Sequence, residues 1–498
     1  MLVNRSLLTL SLPCLLVLGG GCNDDAGADG GADTSLTSET GTTTDTSVET
    51  SDSSMSGDGD GDTGDGDGDT GDGDGDTGDG DGDTGDGDGD SGDGDGDSGD
   101  GDGDSGDGDG DSGDGDGDTG DGDGDGDPCQ GGGQDSFDFS YIWIANSPQG
   151  TVSKIDTLTA VEVARYQTGP VGATDPSRTS VSGNGKFAVV ANRNGGLTMI
   201  SADEDGCIDK NNNGTIETST GANDILPWGQ DECVIWNISL PASGNQGPRP
   251  VSWTIGEFDQ QTCSYGLGDI WIGWYTQGQN TGRFRLVEGS TGATLSEVNV
   301  PNWSGMSWGP YGGAIDSENN FWVLGWGSNG PIVKIDGETL AATHYGNPGG
   351  WVYGMGLDLK GNTWASGCGN GNVYRFNKEN ESWSQIASLG GQCLRGLQVD
   401  FEGVAWIAKN GPCGLAAIDT EADPPQVING NIPLPGCSTP VGVSIDAEGY
   451  VWVVDQGGRA YKVDPDTYQI VSTVMGLSSP YTYSDMTGAG INAQILPQ

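Results

Sequence analysis

Histidine and basic side chains are what this chain has least of. His344 is the single histidine in 498 residues, so no site built on two or more imidazoles can form, whether for metal binding or for proton relay. Lys and Arg number 18 against 75 Asp and Glu, for a formal net charge of −57. Such a balance excludes a nucleic-acid binder, which needs a broad basic face to neutralise phosphates. It likewise argues against docking on anionic lipid through a basic patch. No C-x-x-C occurs, which leaves zinc-ribbon and dithiol redox chemistry without ligands. Beyond the N-terminal region no apolar run approaches the roughly 20 residues of a bilayer-spanning helix. No serine nucleophile elbow, phosphate loop or matched acid/base pair stands out, so no catalytic residue is assigned.

What is present falls into two unlike materials. Residues 23–127 hold 39 acidic residues and no Lys or Arg, whereas 128–498 hold 36 acidic and 17 basic, a net −19. Ahead of both, Arg5 and the apolar stretch Leu7–Leu18 have the make-up of an export signal. Gly19-Gly20-Gly21 before Cys22 resembles a bacterial lipoprotein signal; the resemblance implies cleavage after residue 21 and acylation of Cys22. It places the protein in the cell envelope, on the periplasmic or surface side of a membrane reached only through the lipid, the alternative being simple secretion. Residues 22–127 read as a tether. From Gly57 to Asp127 the chain repeats Gly-Asp with Thr or Ser at every seventh position (Thr63, Thr70, Thr77 and onward). That period carries no apolar seam, so a coiled coil is excluded. Glycine entropy and aspartate repulsion predict a disordered, extended spacer.

Residues 128–498 read as seven copies of one unit. Hydrophobic runs recur about every 42–50 residues, apart from one longer gap of 83 that holds the extra residues 203–232: Ile142-Trp143-Ile144, Phe187-Ala188-Val189, Ile270-Trp271-Ile272, Phe321-Trp322-Val323, Thr363-Trp364-Ala365, Ala405-Trp406-Ile407 and Val451-Trp452-Val453. Asp316, Asp358, Asp400 and Asp446 each stand six residues ahead of their tryptophan. Period-2 alternation broken by Gly, Asn and Asp means antiparallel hairpins, and four strands per copy means propeller blades. The fold class is therefore all-β, a seven-bladed β-propeller. The first tryptophan strand has almost nothing before it. The expectation is that a last inner strand, Tyr483–Ile491, completes blade 1 and closes the ring, with Met486–Ile491 lying beside Tyr141–Ala145.

The units Gly354-Met355-Gly356-Leu357-Asp358 with Gly361-Asn362-Thr363-Trp364, and Gly442-Val443-Ser444-Ile445-Asp446 with Gly449-Tyr450-Val451-Trp452, resemble the repeats of virginiamycin B (streptogramin) lyase-like propellers and, more loosely, NHL repeats. The resemblance implies the fold over 137–498. The family activity it implies, a metal-assisted elimination using histidines and a glutamate, finds no second histidine here. His344 falls on the outer strand of blade 4, away from the channel. A metal-dependent lyase or lactonase is thus the alternative, and a binding or scaffolding role the main reading.

Eight cysteines remain beyond Cys14 and Cys22, an even number that in an exported chain implies disulfides. Cys368 and Cys413 follow the tryptophan strand, while Cys393 and Cys437 precede the next inner strand. Those loops share one face, which pairs Cys368 with Cys393 and Cys413 with Cys437. Cys207 and Cys233 would close an insertion, leaving Cys129 with Cys263 by elimination. That insertion, 203–232, lies in blade 2 between its third and fourth strands, on the face opposite the other bridges. It contains Asp209-Lys210-Asn211-Asn212-Asn213-Gly214-Thr215-Ile216-Glu217. Oxygen donors at positions 1, 3 and 5, glycine at 6 and a carbonyl at 7 are the start of an EF-hand-like or dockerin-like loop. The expected ligands of a structural Ca²⁺ are Asp209, Asn211, Asn213, Thr215 and Glu217, with Asp203, Asp205, Asp224, Asp231 or Glu232 as nearby charge. Thr220 stands where a bidentate Glu is usual.

Loops entering the inner strands line the mouth of a propeller channel. They carry Arg178, Tyr311, Tyr353, Arg395 and Tyr483, with Trp303, Trp308, Trp326 and Trp351 off the repeated strand position. Tyr and Trp there suit a glycan, peptide or protein ligand, and the arginines a carboxylate. The protein is expected to be a monomer.

Overall fold

Each unit begins with a short strand that runs beside the channel and ends at a turn, often Asp-x-x-Gly. The chain then reverses into the tryptophan strand and makes two more antiparallel passes outward. The computed structural model describes residues 140–495, apart from 244–245, 263, 277–278, 304–307, 329 and 392. The expectations for the signal (1–21), Cys22, the tether (22–127), Cys129 and Cys263 lie outside the described residues.

Six sheets have four strands in outward order. Their inner strands are Pro176–Val181, Val251–Trp253, Pro310–Ile315, Val352–Leu357, Cys393–Val399 and Pro440–Ile445, heading blades 2 to 7. Successive inner strands touch in that order, so the blades stand round a common axis. Blade 1 has three strands of its own, Tyr141–Asn146, Thr151–Asp156 and Val161–Gln167. The C-terminal segment supplies the fourth. The Tyr481 amide donates to the Ala145 carbonyl at 3.0 Å, and the Trp143 amide donates to the Met486 carbonyl at 2.9 Å. An antiparallel bridge joins Asn146 to Pro480. The ring of seven is closed by its two ends, as the repeat register requires.

The closing segment differs from expectation in one respect. Residues 480–486 lie along blade 1, but the chain turns at Gly488, where φ is +89°, and Ala489–Ile495 is a helix, α1. Met486 meets Trp143, whereas Ile491 does not lie beside blade 1. The Asp485 carboxylate turns the chain by accepting the Gly488 and Ile491 amides at 2.9 and 3.1 Å. Helix α1 packs against blades 4, 6 and 7. Gln494 donates to the Asp358 carbonyl at 3.0 Å, and Ile491 joins the core beside Val251. The helix therefore plugs the channel at the end where the inner strands finish.

The four Asp–Trp pairs share a hydrogen-bonded clamp. Indole Nε1 of Trp322, Trp364, Trp406 and Trp452 donates to the Oδ2 of Asp316, Asp358, Asp400 and Asp446 at 2.7–2.9 Å. The other oxygen of each carboxylate accepts two amides of its own turn, at 2.8–3.0 Å. One carboxylate thus fixes the turn and the tryptophan that packs between blades. The tryptophan strands are buried on both faces, because each sheet is covered by its neighbours. Outer strands such as Ser382–Ser388 return to partial exposure.

The structure forms the bridges Cys207–Cys233, Cys368–Cys393 and Cys413–Cys437. Blade 3 carries an unanticipated hairpin, Phe258–Asp259 against Ser264–Tyr265, between its first two strands. Trp303 is core rather than rim. It is fully buried, and its ring centroid lies 6.0 Å from that of Phe284.

Candidate functional site

The channel mouth is built from one repeated position. Five residues before the turns at Asp316, Asp358 and Asp400 stand Tyr311, Tyr353 and Arg395. The same offset from Thr254, whose amide donates to the Asp269 carbonyl, gives Arg249. The closing segment brings Tyr481 and Tyr483. In blade 2 the cation is one step later, at Arg178, where the register shifts. A bulge at this level recurs in blades 4 to 7.

All five sequence-predicted residues come together, and all are buried instead of lining an open cleft. Tyr311, Tyr353 and Tyr483 sit in one core cluster with Tyr481. The Arg178 guanidinium lies 3.4 Å from the Tyr483 ring centroid and 4.7 Å from that of Tyr311. It donates to the Tyr483 hydroxyl and to the Ser177 carbonyl. Arg178 is only 1% exposed and its Nε has no hydrogen-bond partner. Burial pulls its pKa down to about 10, against partial support from the surrounding tyrosines. Arg395 donates to the Tyr353 hydroxyl at 2.8 Å and stacks 4.9 Å above its ring. Tyr481 joins the hydroxyls of Tyr311, at 3.0 Å, and Tyr353. Aromatic faces thus hold the cations in place by their quadrupoles.

Sequence reasoning missed Arg249, Arg193 and Tyr481. Arg249 stacks on Trp308 at 4.7 Å, and Arg193 on Tyr481 at 5.2 Å. The five-residue offset would have found Arg249. Above this floor, Trp326 meets Trp308 and Trp351 edge-on, at 6.0 and 5.0 Å. Trp351 is 37% exposed, so an indole face borders solvent at the rim.

The insertion of blade 2 is a second, separate feature. Asp209 accepts the amides of Asn213 and Gly214 at 3.2 and 2.8 Å. Asn211 and Asn213 each donate a side-chain amide to Glu217, at 2.6 and 2.7 Å. Gly214 takes φ +82°, which only glycine adopts cheaply. Thr215 follows, its amide on the Asn213 oxygen. Of the nearby acids, Asp231 and Glu232 are buried and accept loop amides. The Glu217 amide, with those of Lys210 and Asn211, holds the Glu232 carboxyl below its usual range. Asp203 accepts the Gly206 amide and Asp224 the Thr220 hydroxyl. Among the described residues no cluster of three His, Cys, Asp or Glu side chains has metal-binding geometry. His344 lies exposed on the outer strand of blade 4.

No family model matches the chain, and no curated protein matches it. Among solved structures it is similar to a catalytically inactive virginiamycin B lyase from Staphylococcus aureus with quinupristin, at 14% identity over 62% of this chain and 87% of that one, TM-score 0.42. It is also similar to a functionally unknown protein from Desulfotomaculum acetoxidans, at 10% identity over 68% and 96%, TM-score 0.46. A third is the Swd1 β-propeller domain from Myceliophteria thermophila, at 12% identity over 64% and 91%, TM-score 0.40.

Proposed function

We propose that this chain is a binding module, a propeller carried on an envelope lipoprotein that receives its ligand at the channel mouth. The observation that supports this reading is the ring of Arg178, Arg249, Arg395, Tyr311, Tyr353 and Tyr483 under an indole rim. Cations stacked on tyrosine are preorganised, since their side-chain entropy is already spent in the folded state. The rim offers a flat aromatic surface with little to reorganise. Helix α1 stops the channel at its far end, so a ligand of the channel would approach from the mouth face alone. The test is binding of the full chain to arrays of glycans and peptides, repeated with Trp351→Ala. The expected result is a loss of about tenfold or more in affinity for whatever is bound, the scale of a buried aromatic anchor. Retention of full affinity by the variant contradicts a ligand at the mouth.

The 209–217 loop supports a further proposal, a structural calcium ion. Its side-chain oxygens at Asp209, Asn211, Asn213 and Glu217 are the ligand type a hard cation prefers. Asn211 and Asn213 already meet Glu217 through their amide groups, and Asp209 closes the turn by accepting the Asn213 and Gly214 amides. The ion would take the Thr215 carbonyl as well and would neutralise a loop too polar to pack alone. Calcium is expected to slow proteolysis within 203–232, and a chelator to restore cleavage. Equal cleavage rates with and without chelator contradict the proposal.

A further inference from the structure

The two faces of the propeller have opposite charge character, and this names the ligand class of the mouth reading, on which the inference rests. Fourteen loops make the mouth face: seven between second and third strands, and seven leading into inner strands. Across those loops, read in sequence, Asp175 is the sole acidic residue. At the strand ends bordering them Asp455 is the one addition; it is fully buried and accepts the amides of Ser438 and Thr439 at 3.0 and 2.6 Å. Asp175 is itself paired with Arg193 at 2.5 Å. Twenty-seven of the 36 acidic residues of 128–498 lie instead in the loops of the opposite face, eight of them within 203–232. Arginine is distributed the other way. Arg178, Arg193, Arg249, Arg283, Arg395 and Arg459 all sit on or just inside the mouth face.

A domain with net charge −19, in a chain of −57, repels anions at long range. At 0.15 M salt the screening length is about 8 Å, so a ligand at the mouth responds to the local face and hardly to the far one. That local face is cationic. Its aromatic rim has an exposed indole at Trp351, whose flat face suits the C–H face of a sugar ring. Dense nucleic-acid phosphate would need a broad basic surface, whereas these arginines are few and confined to the mouth. We infer that the mouth binds an acidic glycan, with ring stacking on the Trp308–Trp326–Trp351 rim and the uronate or sulfate groups held by the arginine floor.

The experiment measures association of the full chain with three probes: a galacturonate tetramer, a sulfated dextran oligomer and unmodified dextran. At least one charged probe is expected to bind while the neutral dextran does not, the winning probe distinguishing carboxylate from sulfate ester. Its association rate is expected to fall as salt is raised, the sign set by the cationic mouth; a rate that rises with salt, as the chain's net charge would dictate, overturns the inference. Arg249→Gln and Arg395→Gln are each expected to weaken the charged probe about tenfold. Lys378→Gln, on the opposite face, is expected to change nothing. Equal binding of dextran and the charged probes overturns the anionic class and leaves the mouth reading intact. Failure of all three probes, with array ligands held at the mouth by the Trp351 criterion, also overturns the anionic class alone. Tight binding of a nucleic-acid duplex in place of any glycan overturns it too.

Discussion

Asp446→Ala is expected to cost the propeller roughly 3–5 kcal/mol, the scale for stripping one partner from a buried charged pair. The carboxylate is fully buried. It accepts the Trp452 indole at 2.9 Å, the amides of Glu448 and Tyr450 at 3.0 and 2.9 Å, and the Lys462 ammonium at 3.1 Å. Alanine orphans the indole and both amides at once, and each unmet buried donor costs about 1–3 kcal/mol. Lys462 keeps Glu448 and the Thr157 carbonyl, which limits the damage. Asp446→Asn retains an oxygen acceptor and is expected to lose less than half as much. Denaturant melts of the two variants separate these values. The pH dependence has a definite sign. Burial raises the pKa of both Asp400 and Asp446 above the ordinary carboxyl value. A carboxyl whose folded value is raised stabilises the fold below its unfolded pKa, and that contribution is lost as pH rises through the folded value. These two aspartates therefore work against acid unfolding, opposite to the usual surface carboxylate.

Removal of residues 480–498 is expected to abolish folding of the propeller altogether. Tyr481, Tyr483, Met486 and Ile491 are all buried. At roughly 1.5–3 kcal/mol per large apolar side chain they contribute about 6–12 kcal/mol. That equals the entire net stability of an ordinary domain. The deletion also bares the edge of Tyr141–Asn146, an invitation to pairing with another chain. The truncated protein is expected to be recovered as aggregate. A synthetic peptide spanning 480–495, present during refolding, is expected to restore soluble material with native near-UV circular dichroism. Soluble, cooperatively melting protein from the truncation without peptide contradicts this role.

The sequence carried the scaffold because the scaffold is repetitive. The tryptophan strands and the aspartates six residues before them express one hydrogen-bonded clamp, written four times. Two bridges, Cys368–Cys393 and Cys413–Cys437, follow from which loops share a face, and Cys207–Cys233 from closing the base of the insertion. The helix was illegible for a local reason: Ala489–Ile495 is seven residues long and continues a segment that reads as a strand, so nothing marks the reversal except Gly488 and Asp485. The mouth was half legible. Tyr311, Tyr353 and Arg395 could be named from their offset, but their burial could not, because their neighbours come from other blades and from the C-terminal segment. Trp303 was misplaced for the same reason, since Phe284 lies on a different strand. The charge division between the faces needs only the order of loops, yet it emerges only once each loop is assigned to an end of its strands.

Hydrogen exchange at the seam between the two ends of the propeller tests the closed ring most directly. The amides of Trp143 and Tyr481, bonded across that seam, are expected to exchange as slowly as those within the inner strands of blades 5 and 6, by global unfolding alone. Exchange of 480–487 at the rate of a free peptide, with the other blades protected, would show an open array and contradict the architecture on which the mouth depends.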